Sequence, residues 1–511
     1  MPSHPTSSKW PDAPPSDPLP SQPPSRFQHA SSKWPDAPPS DSNPSLLPSR
    51  FQHASFDGRI GLARADITPP IGVYSRNWGA AKHDVAESIH QPLTLTALAL
   101  STHSQATPTL VLVDADLGWW KTPNTFAEFQ RRVLAELSLD SAQFIFALSH
   151  THAGPPLMQP DDSLPGSELL QEWMKALVDT TVDTVRKASQ TMSEATLDWH
   201  HGQCSLAAMR DLPEPTTTDA DTKAARFLCG YNPQGEPDQT LLIGRITDRQ
   251  GALRGTLVNY ACHPTTLAAE NKAISPDYVG AMRQTIENFT SVPALFLLGM
   301  CGDLAPRYQY VGDSEVADRH GRQLGFAALA ALHDMEPAGT SLDYCGVLES
   351  GAPLAMWEHR PRHLPEELLA TQRLVQLPLK NWPSASELEQ QRLACNDRAI
   401  EERLRRKRDI RLGIGDGSNY EIPIYAWRIG EAVLVGSCCE PYSCLQQELR
   451  RRFPACTLIC MNLVNGSMGY LPPAPLYDRD VYPVWQTPFD RGSLELTLEA
   501  FTGAIEDVRK R

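Results

Sequence analysis

From Gly58 onward the chain repeats one pattern: an apolar run of strand length, a polar loop, then an amphipathic helix. The runs are Thr109–Val113, Phe144–Leu148, Leu257–Ala261, Ala294–Leu298, Ala432–Val435 and Leu458–Leu463. After the first, Phe126, Phe129, Val133 and Leu137 recur at helical spacing; after the second, Leu170, Trp173, Leu177 and Val178 do so. A last helix is expected around Leu494–Val508. Strands alternating with helices predict an α/β fold with mixed, largely parallel sheets flanked by helices. In such sheets the loops that follow the strands gather on one edge, and ligands bind there. His150, His152, His263, Asp303, Glu440 and Tyr470 all come just after a predicted strand, so distant parts of the chain are expected to meet in one cleft.

Residues 1–56 do not share the pattern. They are rich in Pro and Ser and contain a direct repeat: SSKWPDAPPSD begins at Ser7 and Ser31, PSRFQHAS at Pro24 and Pro48. Two copies with almost no aliphatic residues bury no core, so this segment reads as a disordered tail and residues 57–511 as one domain. Residues 340–430 also interrupt the alternation. There Ser384 and Glu387 form a capping box at the start of one long helix. Arg403, Arg405, Arg406, Lys407 and Arg408 are read as cations offsetting the dipole at its C-terminus, with an anion-binding patch as the alternative.

The formal net charge of −14 argues against a nucleic-acid partner. No stretch approaches the ~18 apolar residues of a membrane helix. No positively charged segment followed by an apolar one opens the chain, so a cytoplasmic location is expected. The 11 cysteines include no C-x-x-C pair and read as buried free thiols.

The sharpest local signal is Ser149-His150-Thr151-His152-Ala153-Gly154-Pro155. Two His two residues apart on a loop bring neutral imidazoles to one metal, or to a metal and its substrate. Asn259-Tyr260-Ala261-Cys262-His263-Pro264-Thr265-Thr266 adds a third His after a strand. An HxH pair or a single His also serves as a hydrogen-bonded core residue, and the residues alone leave both readings open. Cys262, Cys301, Cys438 and Cys439 flank the motifs, and of these Cys301 is the candidate for a thiol nucleophile.

Taken together, these segments resemble the neutral/alkaline non-lysosomal ceramidase family, from about Gly61 to the C-terminus. Ile67-Thr68-Pro69-Pro70 resembles its entry segment, and HTHxGP and CHPTT resemble its metal loops. Gly302-Asp303-Leu304-Ala305-Pro306 resembles its GD-x-SP loop, and Gly436-Ser437-Cys438-Cys439-Glu440-Pro441 the segment with its metal-binding Glu. Gly469-Tyr470-Leu471-Pro472, with Tyr482 beyond it, resembles the Tyr-bearing C-terminal segment. The resemblance implies Zn²⁺ held by His150, His263, Glu440 and Tyr470, with His152 as acid/base partner. It also implies that Arg210, in Met209-Arg210-Asp211-Leu212-Pro213, polarises the substrate and that Tyr482 stabilises an oxyanion.

Two departures qualify what is carried over. Ala305 replaces the family's Ser, so ceramide is expected to be a poor substrate. After the helix around Leu494–Val508 no residues remain for the family's C-terminal β-sandwich, so the resemblance is to the catalytic domain alone. The expected function is zinc-dependent hydrolysis of a small-molecule or lipid-like N-acyl (amide) or ester substrate by metal-activated water. A non-catalytic zinc-binding module and a metal-dependent hydrolase of another class are the alternatives.

Overall fold

Two sheets, packed face to face, carry the apolar runs to one end of the molecule. The computed structural model describes residues 53–105, 110–159, 161–214 and 226–510. Most of the repeat-bearing segment and Thr109 lie outside these residues. Numbering the strands of the two sheets in chain order, the larger sheet holds Ala54–Asp66 (β1), Thr94–Ser101 (β2), Leu110–Ala115 (β3), Phe144–Leu148 (β4), Ser193–Gln203 (β5), Thr240–Asp248 (β6), Leu253–Tyr260 (β7) and Ala294–Leu298 (β8). Its order is β8-β7-β6-β5-β1-β2-β3-β4. The smaller sheet holds Leu368–Pro378 (β9), Asn419–Ile429 (β10), Ala432–Ser437 (β11) and Thr457–Met461 (β12), in sequential order. The helices are Pro123–Leu137 (α1), Ser167–Gln190 (α2), Tyr278–Thr290 (α3), Ser314–His333 (α4), Ala385–Leu393 (α5), Arg398–Ile414 (α6), Ser443–Arg452 (α7), Tyr482–Gln486 (α8) and Ser493–Lys510 (α9).

Side-chain alternation along the strands explains the layering. In β3 and β4, Val111, Val113, Phe144 and Phe146 face α1 to α4, in a cluster with Phe129, Leu177, Met282 and Leu324. Their neighbours Leu112 and Ile145 face the smaller sheet, in a cluster with Trp427, Leu434 and Ile459. The outer face of the smaller sheet packs on α7 and α9 through Leu445, Phe501 and Ile505. A strand buried on both faces reads as a continuous apolar run, which is why these strands stand out in the sequence.

The mixed α/β class holds, with a large mixed sheet flanked by helices, but antiparallel pairs dominate it. Only β3–β4, β7–β8 and β11–β12 are parallel, and each pair is joined through a helix (α1, α3 and α7). The other neighbours in the two sheets are antiparallel. The expectation of largely parallel pairing came from the crossover units, whose strands are the apolar runs seen in the sequence. Strands such as β1, β5 and β10 mix polar residues into their length and were not read.

Two boundaries move. The strand β1 begins at Ala54, so Ala54–Phe56, assigned to the tail by composition, belong to the sheet. There Ser55 Oγ donates to Asp198 Oδ1 at 2.5 Å and Ser55 N to Glu431 Oε2 at 2.9 Å. The single long helix expected after Ser384 is two helices. The capping box is present at α5, but Asp397 accepts from Ala399 N and Ile400 N and starts α6 afresh. Arg403 to Arg408 therefore lie in the middle of α6, too far from its end to act on the dipole.

All eleven cysteines are unpaired. No described helix is long and apolar enough to cross a membrane.

Candidate functional site

The three crossover units deliver their loops to one place. After β4, His150 takes a left-handed backbone conformation (φ 71°) that non-glycine residues rarely adopt. It is held there by His150 N donating to Leu117 O at 2.8 Å and Nδ1 to Gly118 O at 3.0 Å. After β7, His263 N donates to Leu304 O at 3.0 Å and Nδ1 to Cys301 O at 2.7 Å. Beyond β11, Glu440 N donates to Gly469 O at 2.9 Å, in a short parallel ladder that pairs Glu440 with Tyr470.

These loops bring the side chains of His150, His263 and Glu440 together, all buried, with their ligand atoms within 4.8 Å of one another. Glu440 Oε2 lies 2.9 Å from His263 Nε2 and 3.3 Å from His150 Nε2. A carbonyl oxygen only accepts hydrogen bonds, so each Nδ1 beside one must carry its ring's proton. In the neutral rings both Nε2 atoms then present lone pairs towards a carboxylate. Burial, and then the nearby Arg210 charge, lowers the His263 pKa to about 3, so that ring is neutral. Two imidazoles and a carboxylate this close together could hold a metal ion, and the backbone carbonyls behind both rings fix the tautomer that ligation needs.

The other residues singled out in the sequence surround this cluster. His152 Nε2 is 3.4 Å from His150 Nε2, and its ring lies between Trp119 and Trp78, at centroid distances of 4.7 and 5.1 Å. Burial and then the neighbouring His rings lower its pKa well below the ordinary value, so it is neutral. Tyr470 stacks on His263 at 6.2 Å, and its phenol is pushed well above the usual range by burial and then by Glu440. The Arg210 guanidinium lies 5.3 Å from the Tyr470 ring centre and donates to Gly302 O at 2.7 Å through Nη2. At the start of α8, Tyr482 makes an edge contact with Tyr470 at 5.5 Å.

A cavity of about 520 Å³ opens beside the cluster, with His152, Arg210, Tyr470 and Tyr482 in its wall. A small adjoining space of about 40 Å³ reaches His150 and Glu440. Trp78, Trp119 and Tyr310 also face these spaces and were not singled out in the sequence; Arg406, one of the cations of the possible anion-binding patch, faces them too. Trp119 sits in the loop directly after β3, so the rule that found the histidines would have found it too.

Three sequence readings change meaning. Ala305 is 1% exposed, pairs with Ala208 in a short ladder and does not line the cavity. Burial pushes the Cys301 thiol well up, so it is no thiolate nucleophile. Asp303 is a tether: its carboxylate accepts from Ser443 N and Ser443 Oγ, both at 2.7 Å, and joins its loop to the start of α7.

Comparison with known proteins agrees with the motifs. Residues 59–295 match the family model described as neutral/alkaline non-lysosomal ceramidase, N-terminal. That span includes His150, His152, Arg210 and His263; Glu440, Tyr470 and Tyr482 lie beyond it. A solved structure described as ceramidase complexed with C2 superposes with a TM-score of 0.63 at 16% identity, over 90% of this chain and 76% of that one. The neutral ceramidase from Pseudomonas aeruginosa gives a TM-score of 0.61 at 16% identity, over 90% of this chain and 75% of that one. At this identity the likeness concerns the fold. No curated protein matches the sequence.

Proposed function

We propose that this chain is a zinc-dependent hydrolase that cleaves an N-acyl or ester bond beside His150, His263 and Glu440, with Tyr470 as a fourth ligand. One observation carries the reading: two imidazoles with fixed tautomers and a carboxylate converge as acceptors next to a cavity of about 520 Å³. A bound zinc ion would supply Lewis acidity and a nucleophilic water at neutral pH. His152, neutral and 3.4 Å from His150 Nε2, accepts and returns a proton through its Nε2. Arg210 keeps its charge in the buried wall and, with the Tyr482 phenol, faces the oxygen on which negative charge develops. Amide over ester is a preference taken from the family likeness.

The test compares zinc content and turnover of chromogenic N-acyl and ester substrates before chelation, after it, and after zinc is restored. Activity that follows zinc supports the proposal. Full activity in the stripped protein would remove it.

A further inference from the structure

The mid-helix cations of α6 divide into two groups. Arg405 pairs with Glu401 and Asp161, Arg408 with Glu389 and Asp409, and Arg411 with Asp416. Arg403 and Lys407, one turn apart, have no ion pair among the described residues. Each rests on an aromatic face: Arg403 lies 4.9 Å from the Trp485 ring centre and Lys407 4.5 Å from that of Trp382. Arg406 lies 4.9 Å from the Trp119 ring centre, and its nearest carboxylate, Glu402, is 3.6 Å away.

These three cations share a second cavity of about 220 Å³ between α6 and α8, and no carboxylate lines it. Arg406, Tyr482 and Gln486 belong both to its wall and to that of the small space beside the metal cluster. Arg403 and Tyr482 join it to the main cavity. Arg403 and Lys407, the cations of this helix with no carboxylate partner among the described residues, both face this chamber, beside Arg406, which is paired with Glu402. Such a chamber, walled by Trp485 and Tyr482, favours an anion held by charge-assisted hydrogen bonds.

We infer that this chamber binds a carboxylate on the leaving amine of the substrate, so that the class hydrolysed is an N-acyl amino acid whose acyl chain occupies the main cavity. The inference rests on the hydrolase reading for the reaction, though not for the binding. One water adds across the C–N bond, and a carboxylic acid and an amino acid leave.

The probe is the ketone isostere of N-dodecanoylglycine, in which CH₂ replaces the amide N–H and hydrolysis is impossible. Its neutral counterpart ends in a primary alcohol. Calorimetric titration of the full zinc-loaded chain is expected to show the acid binding ~10–100-fold tighter, the range for a charge-assisted pair. The double variant Arg403→Gln/Lys407→Gln should lose that preference, and Arg403→Lys should retain most of it. Equal affinity for the two ketones, or a preference unchanged in the double variant, overturns the inference. Hydrolysis of N-dodecanoylglycine and N-dodecanoylethanolamine is assayed separately. Selective binding without turnover of either amide ends the hydrolase reading and leaves the anion chamber. Equal turnover of both, with no binding preference, ends the chamber and leaves the hydrolase.

Discussion

Glu440 and Tyr470 are register partners in a two-residue parallel ladder, Glu440–Pro441 beside Tyr470–Leu471. Main-chain pairing therefore fixes the spacing of carboxylate and phenol before any ion arrives. The carboxylate also contacts His150 and His263, whereas the Tyr470 side chain interacts with Arg210. Glu440 is thereby committed to the cluster, and Tyr470 stands between the cluster and the cavity.

Metal content tests that division. The purified chain is expected to hold about one zinc per molecule, as for a single tetrahedral site. His150→Ala and Glu440→Gln should each lose it. Tyr470→Phe should keep it, because the other three donors are held independently. Equal zinc in wild type and His150→Ala, measured by elemental analysis, would place the ion elsewhere.

His152→Ala should retain zinc and lose roughly 10²–10⁴-fold in turnover, the usual range for a positioned acid/base. If kcat is unchanged, His152 only packs against Trp119 and Trp78.

A buried charge cluster secures the loop that carries Trp119. Arg283 on α3 contacts Asp116 Oδ1 and Asp114 Oδ2, both at 2.6 Å, and all three residues are buried. Burial raises the Asp114 pKa to about 6 despite this partner. Arg283→Met leaves two buried carboxylates unpaired, and stability should fall by about 3–5 kcal/mol. Urea unfolding measures it; a loss below about 1 kcal/mol would mean that the cluster relaxes into water.

The pH dependence has one well-defined contributor at the start of β1. His53 Nε2 accepts from Glu336 N at 3.0 Å, which requires an unprotonated nitrogen. Burial, followed by the neighbouring His200, lowers the pKa from 6.5 to about 4. Between these values the unfolded chain binds the proton and the folded chain does not, so this group's stability is present near pH 7 and lost as pH falls towards 4. His53→Gln keeps an acceptor without the titration. Between pH 7 and 4.5 the variant should lose about 2 kcal/mol less stability than wild type. Equal losses in parallel urea titrations would exclude His53 as the source.

The legible part of the sequence was the part that performs the crossovers. Leu112 and Ile145 are buried against one sheet and Val113 and Phe146 against helices, so β3 and β4 read as apolar runs, and the histidines could be placed after them. Strands with mixed surfaces, such as β5 with its exposed Ser193, Glu194 and His201, left no comparable trace. The arginines of α6 were visible but misread, because their meaning depends on which face of the helix meets a carboxylate. That is a tertiary fact. Trp78 carries no motif and follows no apolar run, and its role follows only from where the His152 ring lies.

The candidate ligands come from both sheets: His150 and His263 follow strands of the larger one, Glu440 and Tyr470 follow strands of the smaller. An ion held by all of them acts as a clasp across the inter-sheet interface. If zinc is bound there as proposed, any opening that slides one sheet over the other would have to break ligand bonds, and the protein's lifetime against proteolysis would become a function of free zinc. By linkage, zinc at a hundred times its dissociation constant adds about 2.7 kcal/mol to the folded state. Much of that resistance would be lost when zinc is scarce, before a single covalent bond is cut.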